Sequence, residues 1–144
     1  MNIRNATYHD APVIKSLLDI LGYKTSNSVL VAQLDSMFGS EDHQIFVCDI
    51  RKEVVGFIAV HFMPQLAFDG GLVFISYLSV DELVKDHGVE KALEGYVVEL
   101  AKKRKCDRIQ VHCMDWRTAA HQFYVQQGYQ EYHKYFTKRL IYGE

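Results

Sequence analysis

The chain is short of every feature that would take it out of the ordinary globular class. It has no run of 18 or more apolar residues, so no transmembrane helix is expected. Its opening segment, MNIRNATYHD, has neither the apolar core nor the cleavage pattern of a secretory leader, and the expectation is a cytoplasmic protein. Three cysteines, Cys48, Cys106 and Cys113, are unevenly spaced and suit reduced thiols better than a disulfide framework or a zinc site. The seven histidines never take a ligand spacing such as HExxH, so no metal is expected. Excess charge of one sign is also missing. A formal net charge of -2 gives no global electrostatic case for binding nucleic acid or an anionic membrane. The one basic cluster, Lys102, Lys103, Arg104 and Lys105, falls where a long helix ends, and cations there complement the helix dipole. Repeats, linkers and low-complexity tracts are absent. No GxGxxG follows an early strand, which argues against a dinucleotide oxidoreductase.

What is present is a chain of 144 residues, 49% hydrophobic, long enough for one domain over residues 1–144 with a real core. Asn2 to Thr7 reads as a first strand. Asp10 before Ala11 and Pro12 marks a helix start, with Asp10 as N-cap, and Val13, Ile14, Leu17, Leu18 and Leu21 make its buried stripe. A second helix is expected from about Ser28 to Phe38, stopped by Gly39. Gln44–Ile50 and Val54–Phe62 are β-rich and joined by Arg51, Lys52 and Glu53, a hairpin pattern, and a further strand runs from Leu72 to Val80.

The stretch from Leu78 to Leu93, LSVDELVKDHGVEKAL, is the most informative one. A strand leads through a polar connection to a lone glycine, Gly88, and then to a helix over residues 88–104. Val89, Ala92, Leu93, Tyr96, Val97, Leu100 and Ala101 form its apolar face, with Glu90, Lys91, Glu94, Glu99, Lys102 and Lys103 mostly opposite. A helix that begins on glycine after a strand leaves free backbone N–H groups and a positive dipole end, a place for a phosphate-bearing ligand. An ordinary strand-to-helix turn with nothing bound has the same local pattern. Beyond it, Arg108–Cys113 alternates as a strand, Trp116–Gln127 reads as a helix, and Tyr129–Leu140 as a last strand or strand pair. The order βααβββαβαβ, with hairpins before a βαβ crossover, implies an α/β (α+β) fold in which a mixed sheet is flanked by helices.

That order, together with VxxxxKxxGxE from Val80 to Glu90 and AxxFYxxxGY from Ala120 to Tyr129, resembles the GNAT superfamily of N-acetyltransferases over nearly the whole chain. The piece MDWRTAAHQFYVQQGY is also similar to the Asp-Trp-Asn segment of the diamine and thialysine branch. The resemblance implies a mostly antiparallel twisted sheet, acetyl-CoA as co-substrate, and direct acetyl transfer to the amine of a small molecule or to an exposed amino group. Leu78, Ser79 and Val80 would pair with the pantetheine arm. Lys85, Asp86, His87, Gly88, Val89 and Glu90 would form the pyrophosphate loop, and Tyr124 would protonate the leaving thiolate. By the same likeness Tyr23, Lys24, Phe38, Phe62, Gln65 and Phe68 would line an acceptor pocket. Exposed strand edges would allow a homodimer.

Three positions depart from the family pattern. Glu90 stands where a small glycine or alanine lets the helix approach the pyrophosphate. Ser76 falls where many relatives carry a glutamate that helps to deprotonate the amine, and His61 and Tyr77 are the candidates to replace it. Arg117 replaces the asparagine of the Asp-Trp-Asn pattern. Two readings therefore stand at this stage: an acetyl-CoA-dependent N-acetyltransferase using His61 and Tyr124, or a non-catalytic domain of the same fold with weakened acetyl-CoA binding.

Overall fold

In the computed structural model, residues 1–113, 117–132 and 135–140 are described. They fall into two compact units, Met1–His112 and Cys113–Glu144. The first contains β1 (Asn2–Asn5), α1 (Ala11–Ile20), α2 (Asn27–Met37), β2 (His43–Ile50), β3 (Glu53–Met63), β4 (Leu72–Val80), α3 (Val89–Lys103) and β5 (Arg108–Val111). The second contains α4 (Thr118–Gln126). The five strands form one sheet in sequence order. All neighbours run antiparallel except β4 and β5, which are parallel because α3 carries the chain from one to the other.

Both faces of the sheet are covered, which is why its central strands read as nearly continuous apolar runs. On one face Ile45, Val47, Phe57 and Ala59 pack with Ile14 and Leu17 of α1 and Leu30 and Leu34 of α2. On the other, α3 lays Val89, Leu93 and Val97 against the sheet with no side-chain exposure at all. Gly56 is what lets α3 come so near. A Cβ at that position would stand 3.1 Å from both Val80 Cγ2 and Val89 Cγ1 and 3.2 Å from Leu93 Cδ1. Glu94, expected on the polar face of α3, is buried instead. It follows Leu93 by a single helix step and so stands at the flank of the apolar stripe.

Two bulges shape the sheet. Asp49 pairs with Val54 but Cys48 with Gly56, so Val55 is the extra residue in β3, and its carbonyl accepts the Asp81 N–H at 2.7 Å. Ala59 pairs with Tyr77 but Val60 with Ile75, so Ser76 is the extra residue in β4.

Other expectations shift. α2 begins at Asn27, one residue earlier than expected, and Ser26 caps it by accepting the Val29 N–H at 3.1 Å. Asp10 stands at the N-cap position of α1 without capping it. Pro12 occupies the second helical position and has no N–H to offer, and the Asp10 carboxylate turns back instead. It accepts both Arg4 Nη1 and Nη2 at 2.8 and 3.0 Å and the Thr7 N–H at 2.8 Å. The strand after α3 ends at Val111, two residues short of Cys113. The last helix begins at Thr118; residues 114–116, where it was expected to start, lie outside the described residues. Among the described residues of Tyr129–Leu140 there is no regular strand, so the final β of the expected order is not formed there.

The β2–β3 connection has two residues, Arg51 and Lys52, with Ile50 opposite Glu53, and both have positive φ, 53° and 68°. That is the backbone of a primed turn, which asparagine and glycine adopt with far less strain than arginine and lysine. The double change Arg51→Asn, Lys52→Gly is expected to raise unfolding stability by about 1 kcal/mol, measured by urea denaturation. The Arg4 guanidinium, more than the opposing burial, holds the Asp10 carboxyl below its ordinary value of 3.8. A folded-state pKa that is depressed adds stability above the unfolded value and loses it as pH falls through the folded one. Asp10→Asn is therefore expected to cost about 2 kcal/mol at neutral pH. The gap to the parent protein should close as denaturation is repeated below about pH 4.

Candidate functional site

β4 is the strand around which the candidate site is arranged. It pairs with β3 along its whole length, to Val80 opposite Gly56, but with β5 only from Leu72 to Ile75. Among the described residues no strand pairs with 76–80 on the β5 side. Leu78, Ser79 and Val80 lie on that stretch with their side chains buried, and Ser79 Oγ donates to the Leu17 carbonyl at 2.7 Å. Their outward backbone groups form a strand edge of the kind that an extended ligand can continue.

The chain then turns directly into α3. Asp81 Oδ1 accepts the Leu83 N–H at 3.0 Å and starts a 3-10 turn over Glu82–His87, in which Lys85 Nζ meets Glu82 at 3.4 Å. Gly88 follows with φ 77° and ψ 16°, and the Gly88 carbonyl accepts the Ala92 N–H at 3.0 Å. The N–H groups of Val89, Glu90 and Lys91 thus precede the first bond inside the helix. The need for glycine here is its left-handed φ, since nothing stands within 4 Å of where a Cβ would be. Lys85, Asp86, His87 and Gly88 are exposed, Val89 is buried, and Glu90 in the first turn is half-buried.

A polar chain crosses the sheet on the α1/α2 face. The bulge at Ser76 presents two consecutive residues to this face: Ser76 meets His61, and Tyr77 packs on the α1/α2 cluster. His61 Nε2 is 2.8 Å from Ser76 Oγ, and His61 Nδ1 is 2.9 Å from Nδ1 of His43 on β2. Ser76 Oγ also lies within donating distance, 3.3 Å, of the Ala59 carbonyl. The His61 ring stacks on Phe74 at 6.3 Å between centroids, and Phe74 in turn meets His112 edge-on at 4.9 Å. Burial, and then the neighbouring His43, push the His61 pKa below its ordinary 6.5. The imidazole is therefore neutral at pH 7, with one ring nitrogen unprotonated and both in hydrogen-bond contact.

Of the two residues considered in place of the family glutamate, the structure brings His61 to Ser76. It sets Tyr77 edge-on to Tyr23 at 5.3 Å instead, where burial raises its pKa and keeps it a neutral phenol. His43 was not singled out from the sequence. The bulge at Val55 explains why: counting back from the turn without it, His43 would face Val60.

The residues expected around an acceptor separate into two places. Phe38 packs against the α1/α2 cluster and meets Tyr8 edge-on, on the same side as Tyr23, and Lys24 is exposed. Phe62 lies on the α3 side beneath the Arg104 guanidinium, 3.8 Å from its ring centre. With Gln65 and Phe68 it lines a cavity of about 400 Å³ at the open end of the β3–β4 connection, together with Asp42, Asp69 and Arg104. Among the described residues no cluster of three or more His, Cys, Asp or Glu is placed to hold a metal.

In the second unit, Tyr124 lies in the last turn of α4, half-buried, between the rings of Phe123 and Tyr129 at 5.3 and 5.4 Å. Its carbonyl accepts the N–H groups of Gln127 and Tyr129, and Gly128 supplies the positive φ that closes the helix. Arg117 precedes α4, and Asp115 and Trp116 of the Asp-Trp-Asn likeness lie outside the described residues.

Among solved structures the chain is similar to a transcriptional regulator from Bacillus halodurans C-125, with TM-score 0.89, 22% identity, and coverage of 96% of this chain and 99% of that one. It is similar to ribosomal-protein-alanine N-acetyltransferase from Brucella melitensis biovar Abortus 2308, with TM-score 0.80, 14% identity, and coverage of 96% and 98%. A third likeness is to AAC(6')-Iy in complex with the bisubstrate analog CoA-S-monomethyl-acetylneamine, with TM-score 0.82, 15% identity and 97% of each chain covered. No curated protein matches the chain by sequence. At these identities the structures establish a shared fold. Residues 14–129 match the acetyltransferase (GNAT) family, and on that match, which takes in most of the sequence, the chain belongs to the GNAT acetyltransferases.

Proposed function

We propose that the chain, as one domain over residues 1–144, is an acetyl-CoA-dependent N-acetyltransferase. It transfers an acetyl group to the amine of a small molecule or to an exposed amino group by direct attack in a ternary complex. The observation that carries this reading is the edge of β4 beyond Ile75, which runs unladdered among the described residues into the glycine-started helix α3. Acetyl-CoA supplies an acyl carbonyl already activated as a thioester. Leu78, Ser79 and Val80 offer backbone groups to its extended arm, and a backbone N–H on this stretch stabilises negative charge developing on the carbonyl oxygen. The loop from Lys85 to Glu90 offers N–H groups and the positive end of α3 to the diphosphate.

His61, neutral at pH 7, is the proton acceptor for the amine, and the Tyr124 phenol is the donor to the departing thiolate. Direct transfer needs chiefly alignment of two bound reactants, so a serine in place of a carboxylate base is compatible with turnover. Both kinds of amine acceptor fit the comparisons, since one relative is named for a ribosomal-protein alanine and another holds an acetylneamine analog. No helix among the described residues is long and apolar enough to cross a membrane, and Cys48, Cys106 and Cys113 are free thiols. We therefore place the activity in the reducing cytoplasm.

One observation favours the second reading, a binding or regulatory domain without turnover. Glu90 puts a carboxylate into the turn where the diphosphate would be bound. Titration calorimetry with acetyl-CoA separates the two: saturable binding supports the enzyme, and no binding at millimolar concentration removes it. Glu90→Gly should bind more tightly if that carboxylate crowds the phosphates, and unchanged affinity rejects the crowding. Gly88→Ala is expected to lose about 1 kcal/mol of stability through its left-handed φ, and to bind acetyl-CoA more weakly in the same titration. Tyr124→Phe is expected to lower kcat about 100-fold with little change in KM, read by thiol release.

A further inference from the structure

His61 is half-buried, and both of its ring nitrogens are engaged, so a proton that reaches it needs an onward path. The contacts supply one. Ser76 Oγ, His61 Nε2, His61 Nδ1 and His43 Nδ1 follow one another at 2.8 and 2.9 Å across three strands, and His43, at the start of β2, is exposed. We propose that Ser76, His61 and His43 form a proton relay that takes the proton from the acceptor amine at Ser76 Oγ and releases it to water at His43. The relay rests on the acetyltransferase reading and adds to it a route, with Ser76 as the catalytic group that meets the amine and passes its proton to His61, and His43 as a positioning residue behind them.

The chain has two self-consistent hydrogen-bond directions, and one proton converts the first into the second. Before transfer, Ser76 Oγ–H donates to His61 Nε2, His61 Nδ1–H donates to His43 Nδ1, and His43 carries its remaining proton on Nε2. The amine gives a proton to Ser76 Oγ, whose own proton passes to His61 Nε2. The His61 Nδ1 proton passes to His43 Nδ1, and the His43 Nε2 proton leaves to water. One proton enters and one leaves, and every residue ends neutral. Afterwards His43 Nδ1–H donates to His61 Nδ1, His61 Nε2–H donates to Ser76 Oγ, and Ser76 Oγ–H is free to donate to the Ala59 carbonyl, 3.3 Å away. That last acceptor is present only because the bulge sets Ser76 over Ala59. The titratable neighbours of His61 in this row are His43 on β2 and, across Phe74, His112 after β5.

The test is thiol release from acetyl-CoA with a panel of primary amines, for the parent protein and His43→Ala, in weak buffer over about pH 6 to 9. His43→Ala should lower kcat about tenfold with KM for acetyl-CoA unchanged. Added imidazole should restore the rate, and the variant's rate should rise with buffer concentration while the parent's does not. Ser76→Ala should show the same loss without rescue by imidazole. If His43→Ala fails to fold, His43→Gln carries the same measurements. Unchanged kcat in a folded His43 variant, or a loss that imidazole and buffer leave untouched, overturns the relay while leaving the transferase intact. A parent protein that acetylates nothing and binds no acetyl-CoA overturns both.

Discussion

The seating of α3 on the sheet is the constraint on which the candidate site depends. Gly56 leaves no room for a side chain between β3 and the pair Val80 and Val89, so the end of β4 and the start of α3 are held against the same point of the same neighbour. Burial of Val89, Leu93 and Val97 locks that contact with the strength of ordinary core packing. As a result the first-turn amides of α3 are delivered to the end of an open strand edge without any side chain dedicated to the purpose. A site assembled from backbone in this way places few demands on residue identity along the loop, which fits the departure at Glu90.

The polar chain on the opposite face depends on a different device. Two single-residue bulges, at Val55 and Ser76, move the register of β2 on β3 and of β3 on β4. The first brings His43 opposite His61, and the second puts Ser76 within reach of the same ring. Neither contact comes from a motif. Each is the product of an insertion whose only outward sign is a shift in alternation by one residue.

This accounts for which parts were legible before the structure. The amphipathic stripe of α3, its start at Gly88 and the three apolar strands β2, β3 and β4 were legible, and they appear where the pattern put them. The parallel β4–β5 pair followed from a helix lying between two strands. The misreadings have more than one cause. Asp10 gives its carboxylate to Arg4 and the Thr7 N–H rather than to α1, and Glu94 is carried inward by the helix stripe beside it. His61 was visible as a residue, but its face and its partners were not, because alternation cannot count through a bulge. Phe62 was grouped with Phe38 by likeness alone, and the pleat put the two on opposite sides.

The bulge at Ser76 separates address from content. A substitution there changes the functional group presented to His61, while the pleat on either side stays in step. Only the loss or gain of a residue could relocate it, and that would turn the remainder of β4 inside out. Evolution is thereby handed an interchangeable socket: the side chain at this point of the sheet can be exchanged by point mutation, and its position hardly at all.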